Sequence, residues 1–417
     1  MEFSNKYFLY SCLLLLLIGS VSEAQTFQWT RFRGSEGLGI GTLGSAPVTW
    51  ESSDFRWKIT LPGKGNASPV VWGNTVFITS ADDEKDMGYL FAIDERDGKI
   101  LWQKEFNVTD LSMHENNNLA AATPAVDESH VYVIWYSKEK TNLTALAHDG
   151  TIQWQAEFGG IETRHGGGSS LMLTDKYVVF TREQEEEFSS LTSSWVAVNK
   201  QTGQTAWELD RESATANSFS TPLLVNTDTQ VPQLIFTSQA HGLTGVDSET
   251  GEVLWERKEM FPTRVVASPV YSEGMIVACR KGEAVVCDLD LKTNQAADSV
   301  RYSLPRNLSP YVPTPIVVGE LLFLFMDNGT VACVVLATGE LLWKERPAGA
   351  MYGSPICVDG NLYCITKAGK VVVIRADSTY QLLGIHELGD GSFSTPVMGG
   401  TGMVFRTFSQ LMLLISQ

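Results

Sequence analysis

A short phrase recurs along this chain and limits what it can fold into. Gly is followed four residues later by Trp at Gly98/Trp102, Gly150/Trp154, Gly203/Trp207, Gly251/Trp255 and Gly339/Trp343. Ser or Thr followed by Pro and an apolar residue recurs at Pro69, Pro124, Pro222, Pro269, Pro315, Pro355 and Pro396. Successive prolines are 55, 98, 47, 46, 40 and 41 residues apart. The 98 holds two periods, because the degenerate "GGSSLML" places Leu171 where the missing Pro belongs. Eight copies averaging about 47 residues fall in the range that marks propellers and solenoids.

One copy reads as four short strands. "PVVW", "TVFITSA", "YLFAID" and "KILWQKEF" are rich in Val, Ile, Phe and Tyr and are separated by turns such as Trp72-Gly73-Asn74 and Asp97-Gly98. That is strand chemistry. No mature stretch carries a sustained, capped 3.6-residue apolar period. The reading is all-β: an eight-bladed β-propeller of four-stranded antiparallel blades. The last copy, Pro396 to Gln417, has only three strands, and "DFRWKITL" before the first Ser-Pro is unassigned. Moving it into the last blade predicts an N-terminal closing strand around Trp57, which removes an open seam. Trp57, Trp102, Trp154, Trp207, Trp255 and Trp343 are expected to dock each blade on its neighbour, since a buried ring covers about 150 Å² or more. Blade five has Tyr302 near that position and blade seven has no evident substitute, so those two should dock less tightly.

These markers resemble the PQQ-like repeat. That repeat builds the eight-bladed quinoprotein dehydrogenases and the BamB-type propeller of outer-membrane assembly, which binds no quinone. "FRGSEGLG" (Phe32 to Gly39) followed by "RWKITLPGKGNASPVVWGNTVFITSA" is closer to secreted, planctomycete-type PQQ-binding-like propellers. The resemblance runs from about Trp29 to Gln417. It implies the fold; activity has to be argued from the site.

Composition excludes some classes. The net charge is −17, and removing residues 1–24 leaves −16. Nucleic-acid partners need a basic face, and anionic lipid repels such a surface. "MEFSNKYFLYSCLLLLLIGSVSEAQ" reads as a signal peptide, residues 1–24, cut near Ala24. Its apolar run is short for a membrane span. Residues 25–417 are then one secreted or periplasmic propeller domain with no membrane insertion. Cys279, Cys287, Cys333, Cys357 and Cys364 fall in apolar strands and read as small buried hydrophobes.

Chemistry-bearing motifs are scarce. A quinone enzyme needs carboxylates around calcium and an electron exit, and the chain has no adjacent Cys pair and no Cys-x-x-Cys-His site. No nucleophile elbow, phosphate loop or His pair with metal-ligand spacing occurs, so the expectation is no metal and no cofactor, with PQQ plus Ca²⁺ as the minority reading. "EQEEE", Glu183 to Glu187, reads as a solvated hairpin extension. The links from outer strand to next inner strand converge on one channel mouth. They carry Lys64, Asn66, His114, Asn118, Arg164, His165, Asn217, Phe219, Arg264, Tyr311, Tyr352 and Phe393. Phe219, Tyr352 and Phe393 each stand three residues before the repeat Pro position. Such a set suits a sugar, a quinone-like ring or a peptide loop, or simply plugs the channel. The expectation is a non-catalytic extracytoplasmic scaffold for a protein or envelope polymer. The alternative is a PQQ-dependent alcohol or sugar oxidoreductase, with glycan binding or cleavage third.

Overall fold

The computed structural model describes residues 26–108, 113–226, 231–290, 293 and 295–416. The expected signal peptide, residues 1–24, lies outside them. The described residues form eight antiparallel sheets arranged as blades. Blade one runs outward through Val70–Trp72, Thr75–Asp82, Met87–Asp94 and Ile100–Asn107. Blade eight joins Val397–Met398, Gly402–Arg406 and Gln410–Ile415 to Phe55–Thr60. An N-terminal strand thus pairs with the last one, Ile59 opposite Leu411, as the closing-strand reading requires.

The Ser/Thr of the repeat marker closes the inner circle. The backbone N–H of Ser68 donates to Thr123 Oγ1 at 3.0 Å, Thr123 to Ser170 at 3.0 Å, and Ser170 to Thr221 at 3.3 Å. Thr221 donates to Ser268 at 2.9 Å, Ser268 to Thr314 at 3.0 Å, and Thr314 to Ser354 at 2.9 Å. Ser354 donates to Thr395 at 2.9 Å, and Thr395 returns to Ser68 at 3.1 Å. Each hydroxyl satisfies a backbone donor of the preceding blade that no strand partner reaches. Blade three, which lacks the Pro, keeps Ser170 and so keeps the bond.

The Gly-x-x-x-Trp marker is one half of a contact repeated around the circle. Trp57 Nε1 donates to Glu95 O at 2.7 Å, Trp102 to His148 O at 2.7 Å, and Trp154 to Lys200 O at 2.8 Å. Trp207 donates to Ser248 O at 3.3 Å and Trp343 to Asp377 O at 3.0 Å. In four of these contacts the ring lies on a turn glycine of the next blade. A Cβ on Gly98, Gly150, Gly203 or Gly251 would meet Trp57, Trp102, Trp154 or Trp207 within 2.9 Å. All four glycines have φ between +71° and +86°, so they supply both the turn and the space. A small residue faces the ring across the sheet, as Ala92 faces Trp102 and Ala145 faces Trp154. A bulge follows immediately, between Ala92/Ile93 and Ala145/Leu146, which re-aims the outer strand.

Three positions depart from the expected docking scheme. Blade five is not loose at Tyr302: its hydroxyl donates to Leu336 O at 2.5 Å and its ring sits under Gly339. Blade seven carries Gly384 at the Trp register, and the N-terminal segment fills the space. Trp50 stacks on His386 with ring centroids 3.8 Å apart and on Phe405 at 5.9 Å, while His386 meets Val48 O at 3.0 Å. Trp255 lies in the cluster shared by blades four and five, but its Nε1 turns back to Gln233 Oε1 of its own blade at 2.9 Å.

A second role of the N-terminal segment was not legible. Gln28–Trp29 pairs with Val71–Trp72 of blade one, and Ile40–Gly41 pairs in parallel with Cys357–Val358 of blade seven. Between them Val126 N–H of blade two donates to Thr30 O, and Leu38 packs on clusters of blades four to six. The "FRGSEGLG" stretch therefore crosses the channel at the end opposite the inter-blade links. The five described cysteines are buried and unpaired.

Gly150→Ala should destabilise by clearly more than the about 1 kcal/mol of left-handed strain that Gly44→Ala incurs. Gly44 (φ +90°) has nothing within 4 Å, whereas a Cβ on Gly150 meets Trp102 at 2.9 Å. Trp50→Ala should cost about 3 kcal/mol or more, the scale for a buried Trp. Urea unfolding midpoints at constant m check both.

Candidate functional site

The inter-blade links surround a cavity of about 450 Å³ at the upper mouth of the channel. The ring of Ser and Thr side chains forms its lower wall, and Phe32 of the crossing segment reaches it from the far side. Of the residues chosen from sequence, Asn66, His114, His165, Phe219, Arg264, Tyr311, Tyr352 and Phe393 line this cavity. Four do not. Lys64 is exposed and bridges to Ala81. Arg164 is exposed and pairs with Glu187 at 2.9 Å. Asn118 and Asn217 are buried in the links, the latter donating to Gly166 O at 3.3 Å.

The cavity wall is organised around a carboxylate that the sequence reading placed in solvent. Glu183, Gln184 and Glu185 are buried, and Glu186 and Glu187 alone of "EQEEE" are exposed. Glu185 accepts from Arg264 Nη2 at 2.7 Å and lies 3.6 Å from His165 Nδ1. Arg264 Nη1 meets His165 Nε2 at 3.0 Å, so that nitrogen accepts and the imidazole is neutral. Burial first, then the Arg264 charge, holds His165 below the ordinary imidazole range. His165 also stacks on His114, centroids 5.1 Å apart. Asn117 fixes this corner by donating to His165 O at 2.8 Å and Gly167 O at 3.0 Å.

The opposite wall is aromatic and cationic. Tyr352 and Phe393 have ring centroids 4.9 Å apart, and Lys367 Nζ stands 4.1 Å and 5.1 Å from them. Lys281 Nζ stands 5.9 Å from the Tyr311 ring. Asn116, from the link between blades one and two, reaches across to Lys367 at 3.5 Å. Lys281, Lys367, Asn116, Asn117 and Glu185 were missed. Each lies in a turn or hairpin rather than beside a repeat Pro, and only the closed circle brings them together.

The chain matches the family model described as outer membrane protein assembly factor BamB over residues 42–116, 86–345 and 297–382. The outer membrane protein assembly factor BamB of Yersinia pestis is 23% identical over 398 residues, covering 92% of this chain and 83% of the relative. A europium-containing methanol dehydrogenase superposes with TM-score 0.70 at 11% identity, covering 92% of this chain and 90% of the other. BamB from Moraxella catarrhalis superposes with TM-score 0.60 at 14% identity, covering 86% and 95%. At these identities the structural likeness is one of fold.

The dehydrogenase likeness raises the question of a calcium-bound quinone, and the donor set here does not suit one. Calcium takes about six to eight oxygen ligands, several of them carboxylate. Among the described residues no carboxylate lines the cavity, and Glu185, buried behind its wall, is committed to Arg264 and His165. Among the described residues no three His, Cys, Asp or Glu are grouped to hold a metal ion.

Beside the site, Glu183 is buried, and burial pushes its carboxyl up to about 7 from 4.5 against the opposing pull of the Trp195 N–H and Arg211. The folded protein keeps this proton where the unfolded chain has released it. Stability from this group is therefore full below pH 4.5, falls as pH rises to about 7, and levels off above. Glu183→Gln keeps an acceptor for Trp195 and cannot ionise. Its stability relative to the parent should rise by about 3 kcal/mol between pH 4.5 and 8 in urea titrations.

Proposed function

We propose, starting from the fact that this chain belongs to the family of the outer membrane protein assembly factor BamB, that it is a non-catalytic extracytoplasmic scaffold. Its upper channel mouth holds a protein or an envelope polymer. The observation that carries this reading is the committed carboxylate. The acid nearest the wall, Glu185, is already paired with Arg264, and the wall itself offers cations, amides and ring faces for contact. The relatives named as assembly factors support a partner-binding role. The export reading of residues 1–24 supports placement outside the cytoplasm. No helix of the described residues is long and apolar enough to cross a membrane.

A photo-reactive residue at Lys281, exposed on the cavity wall, should give heavier cross-linked species in the native host. The same group at Leu101, exposed on an outer strand, should give none. Adducts at Leu101 alone, or none at the mouth, would remove the reading. The oxidoreductase alternative rests on the dehydrogenase fold likeness. It predicts a saturable rise in melting temperature with PQQ plus Ca²⁺, since a ligand of the folded state must stabilise it. The scaffold reading predicts no shift at large excess.

A further inference from the structure

We propose that the upper cavity is a receptor for the terminal unit of a carboxylate-bearing saccharide, a hexuronate. This rests on the reading of the mouth as a binding surface and names what that surface recognises.

Charge is the first argument. The chain carries −17, yet Arg264, Lys281 and Lys367 stand around one cavity. Neither lysine forms an ion pair among the described residues; Lys281 lies by Tyr311, and Lys367 by Tyr352, Phe393 and Asn116. Asp327, whose charge interacts with Lys367, forms no ion pair with it; its two oxygens accept from the N–H groups of Tyr311 at 2.8 Å and Val312 at 3.2 Å. Three cations against the two acids Glu185 and Asp327 leave an excess of positive charge at a concave wall, which attracts an anion.

Shape and neutral chemistry narrow the anion. Phe219, Tyr311, Tyr352 and Phe393 are each half-buried on the wall. Flat rings of this kind cover the C–H face of a pyranose. Asn66 and Arg264 put an amide and a guanidinium on the same wall. A hydroxyl and a carboxylate on one small ligand match that pair. A bare inorganic anion leaves the rings and Asn66 unused, and a neutral sugar leaves the cations unused. The cavity is also blind. The hydroxyl ring and Phe32 close it from below, so it takes a chain end rather than a threaded strand. Its volume of about 450 Å³ lies within the usual range of small-ligand sites.

The test is calorimetric titration of residues 25–417 with trigalacturonate, with a neutral galactose trisaccharide, and with an acidic peptide of the same charge. Trigalacturonate should bind saturably, at least tenfold tighter than either control and more weakly as salt rises. Lys281→Met with Lys367→Met should weaken it at least tenfold while leaving the melting temperature near the parent's. Absence of saturable binding, equal binding of the neutral trisaccharide or the peptide, or an unchanged affinity in the double variant overturns the proposal. Mouth cross-links that persist alongside such a failure would leave the scaffold standing and remove only the ligand class. Their loss as well would remove both.

Discussion

The circle of eight hydroxyl-to-amide hydrogen bonds, Ser68 through Thr395 and back, is what the rest of the structure is built around. Each bond contributes only about 1 kcal/mol net, so the circle is not the main source of stability. That comes from buried clusters shared by neighbouring blades, the largest spanning blades seven, eight and one. The circle decides geometry. Eight donors at the inner edge have no strand partner, and a closed set of eight acceptors satisfies them all only when the blades stand at fixed spacing around one axis. One missing hydroxyl would leave a buried N–H unsatisfied, at a cost of about 1–3 kcal/mol. A Ser or Thr is therefore required at each blade, even where the following Pro is lost at Leu171.

The outer contacts and the seam extend the same logic. Trp57, Trp102, Trp154, Trp207 and Trp343 each read a turn carbonyl of the next blade, and the first four also a turn glycine. Closure at blade eight depends on Trp57, brought from the start of the chain, and on Glu95. The Glu95 carboxylate accepts from Gly400 and Thr401 N–H at 3.1 and 2.8 Å and from the Thr401 hydroxyl at 2.9 Å. The N-terminal segment then crosses the lower end of the channel. The hydroxyl ring and that crossing turn an open tube into a cup, and the links decorate the cup's rim with cations, amides and rings. Fold and candidate site therefore share one cause: the mouth is concave because the circle is closed.

Much of this could be read from the chain. The spacing of Gly-x-x-x-Trp and Ser/Thr-Pro leads directly to eight blades, and the surplus strand at Trp57 leads to the closure. Eight of the twelve mouth residues line the cavity because the links that precede each repeat Pro position reach the channel mouth. The rest follows from contacts without a period. Trp50 replaces a blade-seven ring from more than three hundred residues away, so the gap at Gly384 looked empty. Glu185 sits in an acidic run whose composition suggests solvent, and its burial depends on Arg264, 79 positions later. Lys367 meets Asn116 across 251 positions. Lys64 and Arg164 lie on links as expected, but their side chains point to solvent.

Native-state hydrogen exchange at the amides of Ser68, Thr123, Ser170, Thr221, Ser268, Thr314, Ser354 and Thr395 tests the central claim most directly. If the circle is a single closed element, all eight should exchange only through the largest opening reaction, with the free energy of global unfolding. Faster exchange at any one junction under native conditions, above all at Thr395 where the last blade meets the first, would contradict it.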